Sequence, residues 1–233
     1  MLSLKSTARI TGALYLGLAL TGLFGFLLIR SALFDPANPA ATAANLVAQE
    51  GLARLGLAME LGIVLTQALV AIAFAQLFRS VQPVAAGAIA AFGLMNAAAI
   101  LISFVALSGA LAVALDPALA PGADAAAAAQ FMYVLSANAW TGGALFFGLW
   151  LIPMGWCVIV SGWMPRRLGQ VLIVGGVGYV LSGFAAALLP LAPDWVDIVL
   201  TVPATIGEFW IMGYLLIFGV RSSSSATTAA QPA

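Results

Sequence analysis

Six mostly apolar stretches run through this chain, at residues 10–29, 55–78, 84–115, 142–162, 168–189 and 196–220. A helix needs about 20 such residues to cross the hydrocarbon of a bilayer. Within that hydrocarbon only helices and closed barrels satisfy every backbone polar group. Composition agrees: of 233 residues 64% are hydrophobic and 7% charged, against roughly 45–50% and about 25% in a soluble domain. The expected fold is therefore all-α, a polytopic six-helix membrane bundle. Residues 1–221 form its single domain, and the Ser/Thr/Ala-rich 222–233 is expected to be a disordered tail.

The first stretch is too long for the core of a signal peptide and no small-x-small cleavage site follows, so it reads as a retained helix. The third exceeds the hydrocarbon thickness and should tilt or protrude. Residues 123–139, ahead of the fourth, read as helix that either lies along the surface or extends the span. Asp35-Pro36-Ala37-Asn38-Pro39 makes a turn, and 42–51 reads as a short amphipathic surface helix.

Basic residues set the threading. With the N-terminus cytoplasmic, the inner ends carry Lys5, Arg9, Arg79, Arg166, Arg167 and Arg221. The outer ends keep only Arg30 and Arg54, beside Asp35, Glu50, Asp116, Asp124, Asp194 and Asp197. This is the positive-inside bias, and it alternates through all six spans. Trp163 and Trp195 fall at the interfaces, where belt residues belong. Both termini are expected inside a bacterial cell membrane.

Much chemistry is excluded. Histidine is absent and Cys157 is the one cysteine, so Ser–His and Cys–His dyads and most haem ligation are ruled out. The one lysine, Lys5, precedes the first span and cannot form an intramembrane Schiff base. Net charge is zero, which recruits no nucleic acid. No catalytic residue, cofactor or metal is expected. The expected partners are the bilayer itself and either a second copy or another membrane protein.

Glu208 is the sharpest single feature. It lies about 18 Å into the sixth span at about 1.5 Å per residue, close to the midplane. Thr201 and Thr205 share its face, and Pro203 frees the carbonyl of Val199. A carboxyl beside a broken helical turn suits an ion or proton site. Alternatively, a threonine satisfies the freed carbonyl and Glu208 anchors one helix to another. In dry surroundings Glu208 would be neutral and donate a hydrogen bond; in a wet cavity it would ionise.

Glu60 sits near the outer interface of the second span, where Arg30 or Arg54 would pair with it. Gln67, on the face of Glu60, and Asn96 in the third span, with Ser103 on its face, reach the depth of Glu208. The three could meet in one polar layer. Gly87 with Ala91, and Gly175, Gly176, Gly178 and Gly183 with Ser182, read as close-packing faces. Trp150, Trp156 and Trp210 read as packing residues, Cys157 as an inert packed thiol, and Pro153 as a bend. Arg54-Leu55-Gly56 and Arg167-Leu168-Gly169 open spans two and five, in equivalent positions of an inverted repeat.

Several motifs recur in order: Arg9-Ile10-Thr11-Gly12 with Tyr15-Leu16, Thr42-Ala43-Ala44-Asn45-Leu46, Arg54-Leu55-Gly56, and Leu145-Phe146-Phe147-Gly148. Ser161-Gly162-Trp163-Met164-Pro165-Arg166-Arg167-Leu168-Gly169, Gly178-Tyr179, and Pro203 leading to Gly207-Glu208 follow. With these the chain resembles the bacterial family called domain of unknown function 4386. The resemblance implies six spans and no established activity. It places Glu208 on the family pattern, whereas Trp150 stands where members often carry histidine and Trp163 where they often carry tyrosine.

The reading preferred from the sequence is a structural or interaction component without enzymatic activity. The alternative is a small proton-coupled carrier using Glu208 with Gln67, Asn96 and Glu60. A membrane enzyme working without histidine or metal comes third.

Overall fold

The computed structural model describes residues 3–189 and 191–221. The tail expected to be disordered, 222–233, lies outside the described residues. Six helical segments among those described are long and apolar enough to cross a membrane. The first span, Leu4–Leu33, consists of α1 (Leu4–Gly22), a π-helical segment (Leu23–Ile29) and α2 (Arg30–Leu33). α3 (Pro39–Ala48) follows, then the second to sixth spans: α4 (Glu50–Phe78), α5 (Pro83–Leu115), α6 (Ala125–Ser161), α7 (Arg166–Leu188) and α8 (Asp194–Ile217).

Each span packs against the next in sequence, and the sixth returns to the first. The result is a closed antiparallel ring, the arrangement that short loops impose on consecutive helices. Unlike a soluble bundle, it is apolar on its outer surface as well as in its core. Thr11, Glu60, Gln67, Asn96, Ser103 and Ser136 are buried, while Leu65, Ile102, Val105, Phe131, Val174 and Ile206 face outward. Water penalises such a surface and hydrocarbon does not. The protein is a multi-pass membrane protein.

The fold places the charges at opposite ends of the ring. Lys5, Arg9, Arg79, Arg166, Arg167 and Arg221 lie at the end where the described residues start and finish, called the terminal end. There Gly219, at φ +70°, packs on Lys5, and the Arg221 N–H donates to the Trp163 carbonyl at 3.3 Å. Arg30, Arg54 and the aspartates lie at the far end.

Several sequence expectations change in detail. Span four is one helix from Ala125, so 123–139 extends the span from Ala125 onward. The short helix runs Pro39–Ala48, with Asn38 capping it by accepting from the Ala41 N–H at 3.0 Å and Pro39 in its first turn. It is docked, with Thr42 and Leu46 buried. The Thr42 hydroxyl bridges to the Asp35 backbone, and the Asn45 amide donates to the Leu33 carbonyl at 3.3 Å. The second span then starts at Glu50 rather than 55.

Close approach explains most of the glycines. A Cβ on Gly148 would lie 2.5 Å from the Gly176 carbonyl oxygen, and one on Gly155 would lie 2.5 Å from that of Gly169. These reciprocal pairs let the fourth and fifth spans meet backbone to backbone. Gly175 and Gly178 do the same for the sixth span, against Ala204 and Leu200. Gly87 and Gly183 are corrections: nothing lies within 4 Å of a Cβ at either position, so they face outward. Trp150 is fully buried as expected for packing, but Trp156 and Trp210 are exposed on the apolar surface. Gly56 and Gly169 each seat on the preceding span, Gly56 on Ile29 and Gly169 on Gly155.

Candidate functional site

The first and sixth spans touch only towards the terminal end. Gly12 sits against Leu215 and Leu216, with 3.0 Å available to a Cβ, and the Tyr15 hydroxyl donates to Glu208 Oε1 at 2.5 Å. Beyond that bond the two helices part. The far half of the first span follows the second, Gly25 against Met59 and Ile29 against Gly56. The far half of the sixth follows the fifth, Ala204 against Gly175 and Leu200 against Gly178. Ser182 also donates to the Asp197 carboxylate.

A cavity of about 580 Å³ occupies the space this divergence leaves, and all six spans contribute to its lining. Glu208 and Tyr15 form its floor, and Trp140 and Leu27 lie towards the far end. From Tyr15 to Leu27 the helix rises roughly 18 Å. Leu16, Leu20, Leu23 and Leu27 of the first span and Phe209 of the sixth line the cavity and are also exposed on the apolar surface. The cavity thus opens sideways, into the layer the lipid tails would fill. The π-helical segment Leu23–Ile29 borders this opening, and π-helical turns recur at functional sites.

Its lining is aromatic and poor in charge. Tyr15, Phe26, Trp140, Phe147, Tyr179 and Phe209 supply rings, Glu208 supplies the one carboxyl, and no Lys or Arg takes part. Thr205 lines the cavity but Thr201 does not. The Thr201 hydroxyl donates to the Asp197 carbonyl at 2.8 Å and that of Thr205 to the Thr201 carbonyl at 3.5 Å. Neither donates to the carbonyl of Val199 that Pro203 frees, so the alternative in which a threonine satisfies that carbonyl is not met. Asn96 also reaches the cavity. Its amide donates to the Gly143 carbonyl at 2.9 Å, and its buried Oδ1 has no partner among the described residues.

The expected polar layer forms only in part. Glu208 and Asn96 share the cavity, whereas Gln67 is walled off from it. Gln67 is fully buried, its amide 3.5 Å from the Gly93 carbonyl. Trp150 comes between: it too lies against Gly93 and stacks edge-on to Tyr15 with centroids 5.7 Å apart.

Glu60 belongs to a second constellation at the far end. Glu60 Oε1 accepts from the Ser103 hydroxyl at 3.0 Å and from the Trp140 indole at 3.3 Å. Ser103 and Ser136 share a hydrogen bond of 2.7 Å, and Arg30 donates to Ser136 at 2.8 Å and to the Tyr133 carbonyl at 3.1 Å. Arg30 therefore reaches Glu60 through two serines rather than by direct contact. Arg54, the other expected partner, pairs with Glu50 at 2.6 Å instead, since the i,i+4 spacing puts the two on one helix face. A separate cavity of about 20 Å³ lies against Arg30, Glu60 and Tyr133, and Glu60 Oε2 has no partner among the described residues. Trp140 joins the two constellations, lining the large cavity while donating to Glu60.

Sequence reasoning passed over Tyr15, Trp140, Ser136 and the role of Arg30. Only Tyr15 left a signal, as part of the motif that opens the first span. Among the described residues no three acidic or thiol side chains cluster to hold a metal ion. No curated protein and no solved structure matches the chain. Of the glycines in its motifs, Gly12, Gly56, Gly148, Gly169, Gly178 and Gly207 sit at helix crossings, while Gly162, at φ +66°, ends the fourth span. The family model described as Domain of unknown function (DUF4386) matches residues 10–219, and the chain belongs to that family.

Proposed function

We propose that this protein is a small carrier that takes an amphipathic molecule from the bilayer into the central cavity and exchanges a proton at Glu208. The observation that carries this reading is the cavity itself: about 580 Å³, open sideways, with an intramembrane carboxyl at its floor. That volume is within the range of small-molecule sites, which combine apolar walls with a few convergent polar groups. Helices that only pack against one another leave few voids larger than water, whereas this space carries a carboxyl and six aromatic rings on its walls. The enzyme reading draws less from the geometry, since Glu60 and Glu208 line different cavities and do not form a paired acid and base.

The test uses proteoliposomes holding an internal pH dye, with the potential clamped and protein-free vesicles as the baseline. Tetraphenylphosphonium, tetraphenylborate and neutral triphenylphosphine oxide serve as probes of three charge classes. At least one should drive proton movement in the wild type and none in Glu208→Gln. Unchanged proton movement in that variant would return Glu208 to the role of a helix anchor.

We further propose that the terminal end faces the cytoplasm of a bacterium, with the bundle in its cell membrane. The six basic residues at that end support this orientation. In intact cells Asp116→Cys should react with an impermeant maleimide, while the buried Cys157 stays silent. Protection of position 116 until the membrane is opened would reverse the threading.

A further inference from the structure

We infer that the ligand of the central cavity is a lipophilic cation, held by the Glu208 carboxylate and the aromatic walls. The inference deepens the carrier reading and takes from it only that the cavity binds a ligand. The lining holds neutral donors in Tyr15, Trp140, Tyr179 and Thr205 but no charged one, and two of its acceptors have no hydrogen bond among the described residues. Glu208 Oε1 accepts from Tyr15, which leaves Oε2 for the cavity, and the buried Asn96 Oδ1 is unpartnered. The titratable groups lining the cavity besides Glu208 are Tyr15 on the first span and Tyr179 on the fifth; the second, third and fourth spans contribute none.

A carboxylate in apolar surroundings needs a counter-charge or a proton. With no Lys or Arg in the lining, the counter-charge has to come from the ligand. Six aromatic rings around the space add attraction for a desolvated cation through their faces. An anionic ligand could not displace that proton without setting two like charges side by side, and a neutral one would leave the proton in place.

The exchange balances simply. In the empty cavity the O–H bond of the Glu208 carboxyl holds the proton. When the cation enters, that bond breaks, the proton leaves to water, and the carboxylate pairs with the cation. One positive charge replaces another, so the cavity stays neutral and the two occupants exclude each other.

Equilibrium binding to the full chain in lipid nanodiscs tests this directly. The probes are radiolabelled tetraphenylphosphonium and its anionic isostere tetraphenylborate, which match in shape and differ in sign. Saturable binding of the cation, with release of about one proton in weak buffer, is the expected result. Tetraphenylborate should not compete. Glu208→Gln should weaken cation binding by more than about tenfold, as loss of a buried charge partner does.

Ala144→Trp, which narrows the cavity from the fourth span, should lower cation binding while leaving Glu208 in place. It keeps the test decisive should Glu208→Gln fail to fold. Equal binding of the two ions, no saturable cation binding, or binding indifferent to both substitutions overturns the cation assignment. Glu208-dependent proton flux driven by the neutral or anionic probe would overturn it too, while sparing the carrier. Absence of flux with all three probes would remove the carrier alone.

Discussion

Gly178→Ala, which adds one methyl group, should cost about 3 kcal/mol or more, the upper part of the range for overpacking a tight contact. The added Cβ would lie 1.9 Å from the Leu200 carbonyl oxygen and 3.0 Å from its carbon. Those are backbone atoms of the sixth span, so no rotamer change relieves the clash. The helix itself has to move, and with it Glu208, eight residues further along the same span. Thermal unfolding in detergent should show a large fall in midpoint for Gly178→Ala. Gly183→Ala, five residues on in the same helix, should be neutral or stabilising by up to about 1 kcal/mol. Its Cβ meets open space, and alanine is the better helix former. Equal effects at the two positions would show that the fifth and sixth spans are not packed this closely.

The second large effect concerns Arg30. Arg30→Met should destabilise the bundle by about 3 kcal/mol, through loss of two hydrogen bonds from a charged donor and of the one cation near Glu60. The guanidinium also lies over the rings of Phe26 and Tyr133, 5.4 and 5.7 Å from their centroids. Arg30 closes the π-helical segment at the edge of the cavity, so its loss should also free the far half of the first span. Glu60→Gln keeps an acceptor for Ser103 and Trp140 while removing the charge. In the Arg30→Met background it should therefore cost less than in the wild type, with a coupling of at least about 1 kcal/mol. Unfolding midpoints of the four proteins in bicelles measure this. Additive losses would mean that the serine relay does not connect the two charges.

The helices and their order were legible because bilayer thickness converts directly into a run of apolar residues. The six spans emerged from that rule, although the second and fourth begin earlier than it set them, and the glycines of the fifth span at 175, 176 and 178 announced close packing. Gly87 and Gly183 could not be told apart from them, since a small residue at a crossing and one facing lipid look alike in a chain. Glu208 was legible for a different reason: an acid at mid-depth is costly enough to demand an explanation.

Its partner was not legible. Tyr15 lies 193 positions away, and nothing local says which face of the first span meets the sixth. The same limit hid the link from Arg30 through Ser136 and Ser103 to Glu60, which joins four different spans.

Sequence by itself determined that the chain crosses a membrane six times and that an acid sits well inside the sixth crossing. Both depend on distance along one chain, which hydropathy and helical rise convert into depth. Tertiary structure decided the rest. Glycine contacts draw the sixth span to the fifth and the first to the second, so the first and sixth diverge above Tyr15 and Glu208 and a cavity opens between them. That divergence depends on rotation of helices about their own axes, which only contact between neighbours fixes.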